Sequence, residues 1–248
     1  MGLLETSLID LSLQEDLYFK DCIYGPPGAG KTTLASSYPK PVWLDFERST
    51  DTLRSLIRLG KLTEGSAFKP KNMKETWDIC KAIIASKKWE TIVIDTVTRQ
   101  QKRQMQEYID GHPTVTKGTR DRFTVYQADY GYSYRILDDF YMWLVEQPIN
   151  IVILAHDTEK QNATTDMNGN VTYQLVKIQP TLTPKLLESM TELFSLIGYM
   201  TANPKGFGDK MVLERKLRIN PTNVIVAKNR LNIQEAEIID PTFKGLHK

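Results

Sequence analysis

The sequence predicts an α/β fold: a mostly parallel central sheet with helices on both faces and antiparallel strands toward the C-terminal side. Three observations carry this. Up to residue 155, short apolar runs alternate with segments of helical period. A glycine-rich loop separates the first apolar run from the first helical segment. Beyond residue 155, polar strand-like segments flank a strong turn signal, Asp166-Met167-Asn168-Gly169-Asn170.

The elements follow in order. Residues 1–17 place Leu3, Leu4, Leu8, Ile9, Leu11 and Leu13 ahead of the first clear strand and read as an N-terminal arm. Residues 18–248 read as one domain, without an internal repeat or low-complexity linker. Tyr18–Tyr24 is the first strand. The helix after the loop turns Leu34, Ala35 and Tyr38 inward. Pro41–Phe46 is a buried strand, Arg54–Gly60 a short helix ended by glycine, and 61–71 a loop. Met73, Trp77, Cys80, Ile83 and Ile84 recur at helical spacing over 73–87. Thr91–Asp95 is a buried strand, and 97–110 a polar helix. Gly111–Thr124 has no period and reads as a loop. Tyr130, Tyr134, Leu137, Tyr141 and Leu144 predict a long helix over 126–146 with its aromatics in the core. Ile149–Ala155 is a further buried strand. Thr183-Pro184 opens a helix reaching about Met190. Leu193–Thr201 and Met211–Ile219 read as paired strands, and Val224–Val226 as a last short one.

The chain has 248 residues, 41% hydrophobic and 25% charged, enough to bury a sizeable core and unlike a disordered composition. No apolar run reaches membrane-spanning length and no signal peptide is visible. Cys22 and Cys80 lack metal-type spacing and read as reduced core thiols. The expected location is the cytoplasm, that of the host cell if a phage encodes the chain. Net charge is +2, but two segments are locally basic. Arg99–Arg135 holds seven basic and four acidic residues, and Lys205–Arg230 seven and two. Such segments suit a nucleic acid, although solvated faces also produce them.

Gly25-Pro26-Pro27-Gly28-Ala29-Gly30-Lys31-Thr32-Thr33 fits G-x-x-x-x-G-K-[ST], the phosphate-binding P-loop. Its glycines let backbone N–H groups point inward at phosphate oxygens. Lys31 adds a charge for the β- and γ-phosphates, and Thr32 offers a hydroxyl to Mg²⁺. ATP and Mg²⁺ are therefore the expected ligands. Asp95, ending an apolar strand, is the expected carboxylate on the Mg²⁺ side; a helix N-cap is its simpler reading. Thr96, next to it, cannot activate water. Glu47 is the candidate for that work, just beyond a strand placed to neighbour the loop strand. His156 ends another strand, where a polar residue can sense the γ-phosphate; a satisfied core histidine is the alternative. Lys228 and Arg230, two apart after a strand, can reach a phosphate in a neighbouring subunit or form a solvated strand end.

Together the glycine loop, Asp45-Phe46-Glu47, Ile94-Asp95-Thr96, Ala155-His156 and Lys228-Asn229-Arg230 resemble the core of RecA-like ATPases. The similarity extends over about residues 18–232 and is nearest to compact phage members, including Sak-type single-strand annealing recombinases. The resemblance implies that Glu47 is the catalytic glutamate, His156 the sensor, and Lys228 and Arg230 the trans-acting fingers. It places two DNA-binding loops at Gly111–Thr124 and Asp157–Gln179, with Tyr173 and Phe123 as stacking candidates. It implies a DNA-stimulated ATPase that forms a ring or filament with ATP at subunit interfaces. Single-stranded DNA is its expected partner, with a single-strand DNA-binding protein beside it. A helicase-like or packaging motor and a nucleotide-dependent assembly switch are the other readings. A small-molecule kinase is disfavoured, because no lid with clustered arginines is visible.

Overall fold

A computed structural model describes residues 17–47, 49–60, 62, 65–112, 114–115, 118–119, 124–165, 171–206 and 211–247. The strands are β1 (Lys20–Tyr24), β2 (Pro41–Asp45), β3 (Ser66–Phe68), β4 (Thr91–Asp95), β5 (Thr114–Val115), β6 (Gly118–Thr119), β7 (Asn150–Ala155), β8 (Asp157–Thr165), β9 (Val171–Pro180), β10 (Leu196–Lys205), β11 (Val212–Arg218), β12 (Lys228–Asn229) and β13 (Glu237–Ile239). The helices are α1 (Lys31–Ala35), α2 (Thr50–Arg58), α3 (Met73–Ser86), α4 (Val97–Gly111), α5 (Gln127–Val145), α6 (Pro184–Leu193) and α7 (Phe243–Leu246).

A nine-stranded sheet runs β13-β11-β10-β1-β7-β4-β2-β3, with β12 also paired to β10. Strands β10 through β3 in that row are mutually parallel. The three strands beyond them, β11, β12 and β13, are antiparallel. β1, β2, β4 and β7 are buried at every position, as strands covered on both faces must be. The pleat divides them between two cores. Cys22, Ile92, Ile94, Ile151 and Ile153 face α3, α5 and α6, meeting Cys80, Leu137, Phe140 and Leu186. Ile23, Trp43, Val93 and Val152 face α1, α2 and α7, meeting Leu34, Leu53 and Leu246. Burying one such large side chain contributes about 1.5–3 kcal/mol, so these two layers hold the sheet between them.

Polar bonds join the helices on the first face. Tyr141 and Ser133 of α5 donate to Gln100 and Gln104 of α4, and Ser189 of α6 donates to Asp138 of α5. The order across that face is α4, α5, α6. On the other face, the backbone N–H of Phe243 donates to Ser37 Oγ at 2.8 Å and His247 Nε2 lies 2.7 Å from Asp21 Oδ2. The C-terminal turn is thereby tied to the foot of β1. Both cysteines are free and buried, and burial pushes each thiol up to about 12.

Several expectations need correction. β3 occupies a stretch read as loop, and β5 and β6 pair within Gly111–Thr124. Val224–Val226 contributes only a bridge, Ile178 to Ile225, while β12 and β13 form further along. Tyr130 is 49% exposed, because helical spacing finds a face and not its depth. The α-helical part of the segment after the glycine loop ends at Ala35, with Tyr38 buried in the turn beyond. β2 does not neighbour β1: β7 and β4 lie between them. The N-terminal arm up to residue 16 lies outside the described residues.

Candidate nucleotide-binding site

The parallel strands all point their carboxyl ends at one edge of the sheet, where ligands of such folds bind. The glycine loop leaves β1 at that edge. Gly25 has φ 154°, and a side chain there would overlap the Met200 carbonyl oxygen. Gly30, φ 97°, opens α1 in the left-handed region, with the Arg215 side chain packed against it. Lys31 crosses the inside of the loop, its ammonium donating to the carbonyls of Gly25 at 2.7 Å and Pro26 at 2.9 Å. Burial lowers its pKa, against the opposing pull of Asp95, Asp157 and Glu47.

Thr32 Oγ1 donates to Asp95 Oδ2 at 3.1 Å. Asp95 is 3% exposed. Burial raises its pKa, hydrogen bonds from Ser49 and Thr32 oppose the shift, and Glu47 and Asp45 add to it. A desolvated carboxylate beside a hydroxyl, with phosphate to follow from the loop, fits Mg²⁺. That ion prefers oxygen donors and completes its shell with phosphate and water, so it needs no protein cage. Among the described residues no group of three or more His, Cys, Asp or Glu could form one. Asp95→Asn is expected to remove Mg²⁺-dependent turnover and to raise the melting temperature of the nucleotide-free protein at neutral pH. The sign follows from the raised pKa: the folded state favours the neutral group, so the charged form opposes folding above the unfolded pKa. Thermal melting of both proteins at pH 7 checks it.

Asp45 organises the next turn. Its Oδ1 accepts from the backbone N–H of Glu47 at 3.1 Å and of Ser49 at 2.9 Å; its Oδ2 accepts from Thr50 Oγ1 at 2.9 Å. The Asp95 carbonyl accepts from the backbone N–H of Phe46 at 2.8 Å and of Glu47 at 3.2 Å. Glu47 is thus fixed from its own backbone. Its carboxylate is fixed as well: Thr96 Oγ1 donates to Oε2 at 2.9 Å, and His156 Nε2 lies 2.6 Å from Oε1. A carboxylate only accepts, so His156 donates. Arg99 stands 3.8 Å from Oε1. Glu47, Thr96 and His156 follow β2, β4 and β7, three neighbouring strands. The structure therefore brings Lys31, Thr32, Asp95, Glu47 and His156 to one edge. Glu47 comes there by way of β4, not by lying next to β1.

Lys228 and Arg230 do not join them. Lys228 donates to the carbonyls of Thr191 and Glu192, and Arg230 to that of Glu192 at 3.4 Å. Both cations sit on the carbonyl end of α6, where the helix dipole favours them. Lys228 pairs with Ile197, which is level with Cys22 on β1, below the loop.

Five nearby residues escaped the sequence reading. Thr96, unable to act as a base, holds Glu47 instead. Asp157 acts on Lys31 and accepts from Tyr199 Oη at 3.4 Å. Arg215 reaches the loop from an antiparallel strand, and Arg99 approaches Glu47 from the first turn of α4; no motif marks either. Tyr24, the last residue before the loop, donates from Oη to the carbonyl of Val226 at 2.6 Å and lies 3.2 Å from that of Ile178.

Of the two expected DNA loops, Lys117, Arg120, Arg122 and Phe123 lie outside the described residues. The other is the β8–β9 hairpin, paired from Asp157↔Pro180 to Thr165↔Val171. No helix among the described residues is long and apolar enough to cross a membrane.

No curated protein shows significant similarity to the chain. The AAA domain family matches residues 18–231, from before β1 to just past Arg230. A match of that extent, on a parallel sheet whose carboxyl edge gathers the glycine loop, Lys31, Thr32 and Asp95, makes this chain a member of the AAA domain family and a nucleotide-dependent P-loop ATPase.

Proposed function

We propose that the chain is a RecA-like, Mg²⁺-dependent ATPase that binds single-stranded DNA and serves recombination or strand annealing. Each ATP is shared between two copies in a ring or filament. The observation that carries the reading is the Glu47 carboxylate held between Thr96 and His156, with β8 starting at the residue after His156. One bond then links the hydrolytic group to the hairpin.

Lys31 and the loop N–H groups bind the β- and γ-phosphates. Thr32 and Asp95 would hold Mg²⁺, which offsets charge on the phosphate oxygens when bound. Glu47 orients the water and takes its proton as the water oxygen bonds to the γ-phosphorus and the bond to the ADP oxygen breaks. Thr96 and His156 keep both carboxylate oxygens in place. Lys228 and Arg230 of the adjoining copy offset charge on the transferred group. When Glu47 engages water, its bond to His156 changes, and Asp157 and the hairpin follow.

The hairpin supports base contact more than phosphate contact. Gln161–Thr165 and Val171–Val176 contain no charged residue. Tyr173 is 67% exposed between Val171 and Leu175 on one face. A base stacked on it would contribute about 1–3 kcal/mol. Phosphate contacts fall instead to Lys117, Arg120 and Arg122. The same apolar face favours a second reading, a nucleotide-dependent assembly switch that grips a protein. ATPase rate and binding with a thymidine oligonucleotide separate the two. The DNA reading expects faster turnover, and neutralising the three cations should lower the log–log salt slope by about two. Absence of binding by the unaltered protein would leave the switch reading in its place.

A further inference from the structure

Arg215 of β11 pairs with Ala202 of β10, and Leu217 pairs with Met200 two residues nearer the amino edge. Residues directly opposite on antiparallel strands share a face. Leu217 and Met200 belong to the core under α1, so Arg215 lies on that face, beyond them toward the carboxyl edge. A Cβ on Gly30 would overlap Arg215 Nε and stand 2.6 Å from Cδ. The arginine stem is therefore laid against the glycine loop at the residue before Lys31. β11 is two interstrand steps from β1, about 10 Å at 4.8 Å each, and this side chain closes the distance.

The carboxylates around it are engaged elsewhere. Glu214 pairs with Lys205 and Lys216, and Glu237 with Arg218. Asp240 Oδ1 accepts from the main-chain N–H of Arg215 at 3.2 Å. Among the described residues, Arg215 Nε is buried with no hydrogen-bond partner. A half-buried guanidinium pressed on a phosphate-binding loop costs free energy until an anion meets it. The direction of approach says which anion. Asp95 and Glu47 stand at the ends of β4 and β2, on one side of the loop strand, and Arg215 comes from the other side. A triphosphate with its Mg²⁺-bound, reacting end at Asp95 and Glu47 turns its α-phosphate and nucleoside toward β10 and β11.

We infer that Arg215 binds the α-phosphate of the nucleotide held by the glycine loop of its own copy. The inference rests on the ATP-site reading above and needs neither DNA nor assembly. An arginine presents Nε–H and a terminal N–H₂ side by side, so it can meet two oxygens of one phosphate. Next along the same face, Leu213 pairs with Pro204 and is 45% exposed, which leaves an apolar seat for the sugar and base beside the guanidinium. ATP and ADP share the α-phosphate, so Arg215 acts on substrate and product alike. A packing role alone would use the stem and leave the unmatched charge without a purpose.

Two variants test it. Arg215→Met keeps the stem and removes the charge; Arg215→Lys keeps a charge. The Kd of each for ATP and for ADP is measured with Mg²⁺, beside the melting temperature without nucleotide. Arg215→Met is expected to bind ATP and ADP about tenfold to a hundredfold more weakly, by the same factor for both, the scale of a hydrogen bond to a charged group. Arg215→Lys recovers part of that loss. Without nucleotide, Arg215→Met melts no lower than the unaltered protein, because the charge it removes had no partner. Unchanged affinity for both nucleotides overturns the inference. A loss confined to ATP overturns it in favour of a γ-phosphate contact, and equal losses with no recovery by lysine overturn it in favour of stacking on the base. A lower melting temperature without nucleotide assigns Arg215 to the fold and overturns it too. An unaltered protein that binds neither nucleotide overturns the ATP-site reading as well.

Discussion

Glu47→Gln is expected to lower kcat for ATP hydrolysis by about 10²–10⁴-fold with little change in ATP affinity. The substitution keeps the shape of the side chain and one oxygen acceptor. It removes the group that takes a proton from water, and it sets an amide N–H₂ against either the His156 N–H or the Thr96 hydroxyl. ATP binding depends on other groups: Lys31, the loop N–H groups and Thr32. The fold is indifferent as well, since Asp45 and the Asp95 carbonyl hold the turn through the backbone N–H groups of Phe46, Glu47 and Ser49. Single-turnover hydrolysis beside nucleotide titration checks the separation. Unchanged turnover would remove Glu47 from the chemistry.

Arg230→Ala is expected to lower turnover about 10³-fold or more, the scale of an arginine supplied by a neighbour. In its own copy Arg230 is exposed and makes a 3.4 Å contact with the Glu192 carbonyl. Removing it should therefore alter stability by no more than about 0.5 kcal/mol. The melting temperature stays nearly unchanged while activity falls. A residue that merely capped α6 would behave the opposite way, with a small stability loss and normal turnover.

Much of this edge was legible because its signals are local. Gly25–Thr33 is a contiguous motif, and apolar runs ending in Asp95 and Ala155 announce buried strands whose last residues face a ligand edge. The parallel sheet followed from the alternation of those runs with helices. Strand order did not. Pairing is set by crossover connections, and nothing in Pro41–Phe46 says that it lies beyond β4 and away from β1. The Glu47–His156 bond joins positions 109 residues apart and depends on that order. β12 and β13 are two and three residues long, too short for a period of two to declare itself. Arg215 and Thr96 lacked a signal for a different reason: their roles come from what packs against them.

The most direct test of a site shared between copies is complementation. Arg230→Ala and Glu47→Gln are each expected to turn over slowly, yet a mixture puts an intact Glu47 opposite an intact Arg230 at about a quarter of random head-to-tail contacts. The account predicts turnover on mixing well above that of either variant alone, rising toward this fraction with equal amounts. A mixture as inactive as its components, with both variants binding ATP and assembling, would contradict it.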